Sequence, residues 1–413
     1  MNIGADARRL PLPDESVQCI VTSPPYWGLR KYAGEQDLVW GDAACVHEWQ
    51  SESRVGDRRE GGCSLQWKSG TGAATTFAKS GKMRVTTDTC SECGAWRGAF
   101  GLEPTIEMYI AHSLEILREC KRVLRKDGVL FWNMGDSYAS TGGAHDGRND
   151  NQRGVGAKRT HDSGGGDHGN RSAPNGLKPK DLCLIPERIA IAAQQDGWWV
   201  RSRILWCKPN PMPESVRDRP TDAAEHIWMF TKSERYYWDA EAVKEPCVDP
   251  DRPNPDGGSA TIGGIPRTPI GEPRLSSGTR NLRNVWTFPT QPYSGAHFAT
   301  FPEELPRRCI LATTSAHGAC AKCGAPWERI TSTTGGNIGA HETIGWKPTC
   351  KCSTEEVRPC VVLDPFAGSG TTGRVATALR RQPILVDLSY GRDHGYHELS
   401  DKRTRNVQLQ AFA

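Results

Sequence analysis

The stretch VVLDPFAGSGTT, residues 361–372, decides the fold of this chain. Its apolar, β-branched start predicts a buried strand that ends at Asp364. Gly368 and Gly370 permit a tight turn in which the backbone can approach a ligand closely, and residues 371–381 predict a helix. A strand that passes through such a turn into a helix indicates an α/β fold with a ligand site at the carboxyl end of the strand.

The next predicted strand, residues 384–387, ends in an acid. An acid at this place, here Asp387, commonly accepts hydrogen bonds from a ribose. The glycine turn and the acid together predict a site for an adenosine-containing cofactor. An ordinary strand–helix glycine turn and a dinucleotide site are the alternatives.

Strands and helices alternate along the rest of the chain. A helix is predicted to begin at the N-cap Thr105 and to end at Asp127-Gly128, because apolar residues recur at three-to-four spacing between them. Further predicted elements are strands at residues 2–6, 17–23, 129–134 and 199–207, a strand pair at 227–231 and 236–238, and a helix at 186–195. This alternation predicts a mostly parallel sheet with helices on both faces.

The strand at residues 17–23 runs into Ser23-Pro24-Pro25-Tyr26. Two consecutive prolines lock the backbone, supply carbonyl acceptors without competing N–H groups, and hold the preceding residues extended. Such an acceptor platform suits the exocyclic amine of a base, because hydrogen bonds to the Ser23 hydroxyl and the Pro24 carbonyl would direct its delocalised lone pair outward. Tyr26 could stack on a base flipped out of a duplex. Alone, the motif is equally typical of a proline-rich turn.

Together the two motifs resemble those of the amino-group DNA methyltransferases, the N4-cytosine and N6-adenine family. SPPY is similar to the catalytic motif and DPFAGSGTT to the S-adenosylmethionine motif, in the order of the β group. The resemblance implies a Rossmann-like class I methyltransferase fold of the α/β class, circularly permuted, with a mostly parallel sheet of the seven-stranded type and with zinc-knuckle and loop insertions. It also implies that the strands before Asp364 and Ser23 lie side by side.

The resemblance implies further site residues. Asp6 is similar to an adenine contact, and residues 298–310 are similar to a helix that contacts the methionine part of the cofactor. The tail after Asp387 departs from the family, because it is short, polar and only weakly helical. The implied catalytic residues are Ser23, Pro24, Pro25 and Tyr26, and the implied cofactor-binding residues are Asp6, Phe301, Pro302, Leu305, Asp364, Pro365, Phe366, Gly368, Ser369, Gly370, Thr371 and Asp387.

Double-stranded DNA is the partner that the resemblance implies, and a cognate restriction endonuclease is compatible with it. Residues 206–221 resemble the segment that shapes the target-base pocket, and residues 241–285 hold the place of a target-recognition region. Flipping a base requires phosphate and groove contacts. The alternative for each basic residue is that it belongs to a solvated charged loop. The expected DNA or target contacts are Trp27, Lys208, Arg217, Arg219, Arg280 and Arg283.

Two CxxCG sequences in the chain have the cysteine spacing that is typical of metal ligands. In a reducing compartment, clustered cysteines indicate metal sites before disulfides, and tetrahedral zinc requires four ligands. The alternatives to two separate zinc sites are one zinc shared by the two knuckles, or free thiols in flexible insertions. The simplest pairing gives two structural zinc sites, one of Cys45, His47, Cys90 and Cys93 and one of Cys320, Cys323, Cys350 and Cys352.

The predicted domain organisation has two halves and several insertions. Residues 1–41 and 102–240 form the catalytic half, and residues 286–316 and 360–413 form the cofactor-binding half. The insertions are a Cys/His segment at 42–101, a mobile glycine-rich loop at 139–180, a target-recognition region at 241–285 and a zinc knuckle at 317–359.

The composition of the chain excludes few classes of protein or partner. The net charge of +4 identifies no partner, and no apolar run approaches the roughly 20 residues that span a bilayer. Without an apolar leader, we expect a cytoplasmic, nucleoid-associated protein of bacterial or phage origin. Ser23 favours N4 of cytosine over N6 of adenine, and both stay open. Methylation of RNA or of a protein amide, or a zinc-knuckle DNA-binding protein with a vestigial cofactor fold, are the remaining alternatives.

Overall fold

The computed structural model describes residues 1–28, 36–55, 84–139, 176–247, 253–254, 274–275, 278–291, 301–333, 341–390, 396–405 and 407. Most of the predicted mobile loop and much of the predicted target-recognition region lie outside these residues. The chain forms two compact units. The sheet unit contains Met1–Pro24, Ser113–Gly135 and Pro186–Ala413, and the second unit contains Pro25–His112 and Asp136–Ile185.

An eight-stranded sheet forms the centre of the sheet unit. Its strands are β1 (Asn2–Gly4), β2 (Val17–Thr22), β3 (Leu124–Met134), β4 (Trp199–Cys207), β5 (Ala224–Thr231), β6 (Val285–Thr287), β7 (Val361–Asp364) and β8 (Gln382–Asp387). Their order is β1-β8-β7-β2-β3-β5-β4-β6. Within this sheet β5 is antiparallel to both neighbours, and the remaining neighbours are parallel. The predicted mostly parallel, Rossmann-like fold is confirmed.

The two motif strands lie side by side, as predicted. β7 pairs in parallel with β2, with Val362 opposite Cys19 and Leu363 opposite Ile20. Parallel strands end at the same edge of a sheet, so the glycine turn after β7 and the proline platform after β2 begin at neighbouring positions.

Helices pack against the central sheet. The described helices are α1 (Ile106–Val123), α2 (Ile185–Gln195), α3 (Glu304–Thr313), α4 (Thr371–Ala378) and α5 (Tyr396–Arg405), with a 3-10 turn at Glu241–Val243. Thr105 caps α1, because its hydroxyl oxygen accepts the Met108 N–H at 3.2 Å. On one face of the sheet, Ile310 of α3 and Val375 of α4 share a buried cluster with Phe131 of β3. Each such side chain contributes roughly 1.5–3 kcal/mol by burial.

The predicted end of α1 at Asp127-Gly128 is wrong. The helix ends at Val123, and both residues lie inside β3. Gly128 is required there by packing, because a Cβ atom would come within 2.9 Å of the Gln18 carbonyl oxygen on β2. The glycine therefore marks a close approach between two strands and not a helix terminus.

Two further boundaries differ from the predictions. Residues 236–238 form no strand, because β5 takes its partners from β3 and β4, and the Tyr237 N–H instead donates to the Asp127 carbonyl at 2.9 Å. Helix α4 ends at Ala378, three residues short of the predicted end. Arg380 follows with φ 58°, a left-handed conformation that stops a helix.

The second unit contains a four-stranded antiparallel sheet that the sequence pattern does not predict. Its order is Leu38–Trp40, Trp96–Gly98, Arg84–Cys90 and Trp49–Val55. The rings of Trp40 and Trp96 lie 4.2 and 5.7 Å from the ring of His112, both stacked on it. Two of the four strands thus pack a tryptophan against the same buried histidine, without the alternating apolar pattern that usually identifies a strand.

Smaller strand pairs complete the described chain. They are Glu245–Pro246 with Thr279–Arg280, Pro253–Asn254 with Arg274–Leu275, Ala319–Cys320 with Val357–Arg358, and Trp327–Thr333 with His341–Pro348. Within the described ranges, no helix has the length and apolar character that a bilayer span requires.

Candidate active site

The glycine turn after β7 has the predicted conformation. Gly368 and Gly370 have φ angles of 47° and 79°, values that favour glycine. A Cβ atom on Gly370 would lie 2.4 Å from the Ser400 hydroxyl of α5. Glycine at this position therefore answers both a backbone and a packing requirement.

Asp364 locks the start of this turn to β2. Its carboxylate accepts hydrogen bonds from the hydroxyls of Thr22 and Thr372, each at 2.7 Å, and from the Phe366 N–H at 3.1 Å. Burial raises the pKa of Asp364 to about 6, against the opposing effect of these hydrogen bonds. The side chain is 1% exposed, so it orders the site from beneath.

Asp387 lies at the carboxyl end of β8 and closes the turn from the other side. One carboxylate oxygen accepts the Gly368 N–H at 2.9 Å, and the other accepts the Ser389 hydroxyl at 2.6 Å. The Tyr390 hydroxyl donates to the Gly368 carbonyl at 2.8 Å. The sequence assigned Asp387 to the cofactor, and the structure adds a role in holding the turn.

The tail after Asp387 forms the helix that the sequence did not show clearly. Arg403 of α5 donates to the Ser369 hydroxyl at 2.7 Å, to the Ser369 carbonyl at 3.2 Å and to the Thr371 hydroxyl at 3.2 Å. A planar guanidinium has several donors in fixed geometry, so one side chain can fix a whole turn. Sequence reasoning missed Arg403, which is the basic residue that α5 turns toward the motif.

The other predicted cofactor-binding residues include side chains packed in or against the core and one that forms an ion pair. Phe366 is half-buried and its ring meets Trp132 edge-on at 6.4 Å. Leu305 is fully buried in the core between α3 and the sheet, and Phe301 packs against that core. Asp6 forms an ion pair with Arg8 at 2.7 Å. A turn without side-chain bulk, at the carboxyl ends of β7 and β8, fits the close backbone approach of an adenosine-containing cofactor.

Ser23 follows β2 directly and takes part in a polar contact that sequence reasoning missed. Asn133, near the end of β3, donates to the Ser23 hydroxyl oxygen at 3.4 Å and to the Glu225 carboxylate at 2.9 Å. Lys208 forms an ion pair with the same carboxylate. No motif marked Asn133 or Glu225, because neither stands next to a predicted site residue in sequence.

The second half of the proline platform lies in the second unit. The Tyr109 hydroxyl donates to the Pro25 carbonyl at 2.7 Å. Trp27 is 4% exposed, and its indole N–H donates to the Glu103 carbonyl at 3.0 Å, which places it in the core of that unit and not on a DNA-facing surface. Burial raises the pKa of Glu103, whose carboxylate lies 2.9 Å from His112 Nδ1.

Most predicted DNA contacts carry acidic partners in this structure. Arg219 pairs with Glu214 at 2.7 Å, and Arg280 and Arg283 share Glu245 at 3.5 and 2.8 Å. Arg217 is exposed. Of the paired arginines, Arg283 is 58% exposed, whereas Arg219 and Arg280 are 23% and 32% exposed, so their ion pairs are partly buried.

The cysteine clusters assemble as the first of the alternative pairings predicts. Within each group, Cys45, His47, Cys90 and Cys93 or Cys320, Cys323, Cys350 and Cys352, the ligand atoms lie within 4.8 Å of one another. The N–H of Cys323 lowers the pKa of the Cys320 thiol to about 7, which favours the thiolate that binds a metal.

The second cluster is attached to the amino ends of the central strands. Gln18 of β2 donates to the Gly324 carbonyl at 2.8 Å and accepts the Val361 N–H at 2.7 Å. Arg125 of β3 donates to the Cys323 carbonyl. These contacts lie at the strand ends opposite the glycine turn, so the cluster supports the sheet from the far edge.

Comparison with known proteins identifies the family of this chain. The family model for DNA methylase matches residues 17–321 and 349–396. Over 378 residues the chain is 33% identical to the Type II methyltransferase M.Cfr9I of Citrobacter freundii, with 92% of this chain and 79% of that protein covered. It is 30% identical to the Type II methyltransferase M.SmaI of Serratia marcescens over 378 residues, with 92% and 82% covered.

Among solved structures, the PvuII DNA methyltransferase (cytosine-N4-specific) aligns with 100% of this chain and 95% of its own, at 14% identity and a TM-score of 0.45. The ranges that the family model matches include the turn after β7 and the platform after β2. The chain therefore belongs to the DNA methylase family, the S-adenosylmethionine-dependent enzymes that methylate N4 of cytosine or N6 of adenine in DNA.

Proposed function

We propose that this protein methylates the exocyclic amine of a flipped base at a specific site in double-stranded DNA, with N4 of cytosine as the favoured target. One observation carries the proposal. Ser23 directly follows the strand that pairs with β7, and the 2.7 Å hydrogen bond from Thr22 to Asp364 ties the proline platform to the glycine turn. The amine acceptor and the methyl donor are thereby assigned to adjacent strand ends.

The chain's own groups address the weakness of the nucleophile. An exocyclic amine donates its lone pair to the ring, and acceptors on its two N–H groups favour a pyramidal nitrogen. The Ser23 hydroxyl oxygen and the Pro24 carbonyl are these acceptors, and Tyr26 stacks on the flipped base. S-adenosylmethionine supplies an electrophilic methyl group on its sulfonium when it is bound. The transfer is a displacement between oriented partners, so positioning is the main contribution of the protein.

The choice of base rests on Ser23. A serine at the first position of this motif favours cytosine, and N6 of adenine is the second candidate. M.Cfr9I and M.SmaI are named Type II methyltransferases, which supports action at a defined sequence. Lys208, Arg217, Arg219, Arg280 and Arg283 are the basic side chains that we assign to DNA.

We also propose one structural zinc ion in each cysteine cluster. Four thiolate or imidazole ligands within 4.8 Å fit a tetrahedral ion. The insertions that carry the clusters are rich in polar residues, so metal binding would contribute to their folding free energy. Neither zinc takes part in methyl transfer, because the reaction needs no Lewis acid.

The product of the reaction tests the proposal. Purified protein is incubated with unmethylated genomic DNA and isotopically labelled S-adenosylmethionine, and the digested nucleosides are identified by mass spectrometry. Ser23→Ala is expected to abolish labelled N4-methylcytosine, whereas Ser16→Ala, just before the amino end of the same strand, retains it. Labelled N6-methyladenine would reverse the choice of base, and cofactor binding without any labelled DNA contradicts the proposed substrate.

A further inference from the structure

Four polar side chains form a row across the carboxyl ends of β2, β3 and β4. Asn133 Nδ2 lies 3.4 Å from Ser23 Oγ and 2.9 Å from Glu225 Oε2. Lys208 Nζ forms an ion pair with the other oxygen of Glu225. Because β5 runs antiparallel, its second residue, Glu225, reaches the edge at which the other three strands end. The row therefore connects Ser23 to a charged pair on the far side of β3.

Glu225 decides which end of the Asn133 amide faces Ser23. A carboxylate only accepts hydrogen bonds, so an amide at 2.9 Å must present its NH₂ group and not its carbonyl oxygen. Asn133 is 2% exposed, and the reverse orientation would leave two buried oxygens facing each other. The second hydrogen of the same NH₂ group is then directed to Ser23 Oγ. That bond is long at 3.4 Å, and hydrogen bonds in active sites commonly shorten when substrate binds.

Lys208 in turn fixes Glu225. The two side chains are 21% and 15% exposed, so the pair is partly desolvated and stronger than a surface pair. The Lys208 ammonium also lies 4.8 Å over the ring of Trp206, whose indole N–H donates to the Phe288 carbonyl at 2.9 Å. Glu225 therefore has one oxygen held by Lys208 and the other by Asn133.

We propose that Glu225 is a positioning residue of the amine-binding platform, which, held by Lys208, keeps the Asn133 N–H directed at Ser23 Oγ. Ser23 accepts a hydrogen bond from Asn133, and the proposed function assigns the same hydroxyl oxygen to an N–H of the target amine. The orientation of the hydroxyl is thus set before DNA binds. The inference rests on the proposed function, because that function assigns Ser23 to the amine.

Glu225→Gln tests this orientation, since it removes the charge with little change in shape. Lys208 requires an acceptor, so the new amide turns its oxygen to Lys208 and its NH₂ group to Asn133. Asn133 must then rotate to present its own oxygen, and the N–H to Ser23 is lost. The expected result is a fall in kcat of at least about tenfold, with KM for DNA changed less than about threefold.

A second substitution should restore the original orientation. In the double variant Glu225→Gln with Lys208→Met, no ammonium holds the new amide oxygen, which can turn to the Asn133 NH₂ group. The kcat of the double variant is expected to exceed that of Glu225→Gln at least about threefold. In a merely structural pair, removal of both charges would restore the Tm and the activity together, so the Tm of each variant is compared with its kcat. Glu328→Gln, in the exposed 3.2 Å pair with Lys347, is the matched control.

Rates are normalised to the concentration of sites that bind S-adenosylmethionine, and the Tm of each variant is recorded. A wild-type kcat in Glu225→Gln, or a double variant no faster than the single one, overturns the inference and leaves the proposed function intact. Loss of cofactor binding together with activity indicates a structural role and also overturns it. No methylation of DNA by the wild-type protein contradicts the proposed function itself.

Discussion

The hydroxyl of Thr22 donates a 2.7 Å hydrogen bond to the carboxylate of Asp364, across 342 positions of sequence. Thr22 is the last residue of β2 and Asp364 the last residue of β7. The proline platform and the glycine turn therefore begin from a single buried contact. Neither residue needs to touch substrate for this contact to set the spacing of the two motifs.

The buried carboxylate should make stability depend on pH. Burial raises the pKa of Asp364 to about 6 in the folded state, above the value of about 3.9 for an unfolded chain. Between these values the folded state binds more protons, so the stability contributed by this group is present below about pH 4 and is lost as pH rises to about 6. Each pKa unit corresponds to about 1.4 kcal/mol.

Asp364→Asn removes this titration. Urea unfolding at several pH values gives the free energy of unfolding of both proteins, and the wild-type value minus the variant value is expected to fall between about pH 4 and pH 6. All other titrating groups are common to both proteins and cancel. A difference that stays constant across this interval contradicts the assignment.

Gly370→Ala should disrupt the cofactor turn. The substitution places a Cβ atom at φ 79°, 2.4 Å from the Ser400 hydroxyl. We expect a loss of at least about 1 kcal/mol of stability and weaker binding of S-adenosylmethionine in calorimetry. Gly345→Ala is the control, because its nearest neighbour would be the Ile330 side chain at 3.9 Å. Equal effects of the two substitutions would argue against a special role for the turn.

Arg403→Gln should weaken cofactor binding from outside the motif. The guanidinium holds Ser369 and Thr371, and hydrogen bonds to charged groups are worth about 1.5–3 kcal/mol, so Kd for S-adenosylmethionine is expected to rise at least about tenfold. Arg405→Gln removes a neighbouring arginine of the same helix that is 78% exposed and pairs with Asp401. If both variants bind the cofactor with equal affinity, Arg403 does not support the turn.

Tyr109→Phe should slow the reaction without unfolding the second unit. It removes only the hydroxyl that donates to the Pro25 carbonyl at 2.7 Å. Since one hydrogen bond contributes about 1 kcal/mol, kcat for DNA methylation is expected to fall about fivefold. Tyr237→Phe, whose hydroxyl lies 3.3 Å from the Trp327 carbonyl in the sheet unit, serves as the control. An unchanged kcat in Tyr109→Phe excludes this hydroxyl from positioning the platform.

The two cysteine clusters should bind zinc independently. Metal analysis of the purified protein is expected to give about one zinc per cluster. Cys93→Ser and Cys323→Ser should each remove one of them, while Cys247→Ser, outside both clusters, removes none. Cys323→Ser should also lower the Tm, because Gln18 and Arg125 connect that cluster to the central strands. A protein that binds a single zinc through both knuckles would support the rival pairing.

Local patterns carried much of the prediction. The glycine turn and the N-cap of α1 are each encoded within a few residues, and each formed where the sequence placed it. The CxxC pairs are local too, but only the folded chain brings each pair together with its other two ligands. The adjacency of β2 and β7 followed from the family resemblance, since motif order and sheet order are linked. The small sheet of the second unit was not predictable, because its strands lack alternating apolar residues.

The sequence by itself determined the fold class, the family and the segments that meet at the site, because backbone conformation and apolar periodicity depend on near neighbours. Only the tertiary structure identified Asn133, Glu225, Arg403 and Tyr109 as the side chains that hold these segments. Their hydrogen bonds join strands and helices that are distant in sequence. A polar residue has no partner until the chain has folded, so its role is decided by the geometry of the whole sheet and not by the residues beside it.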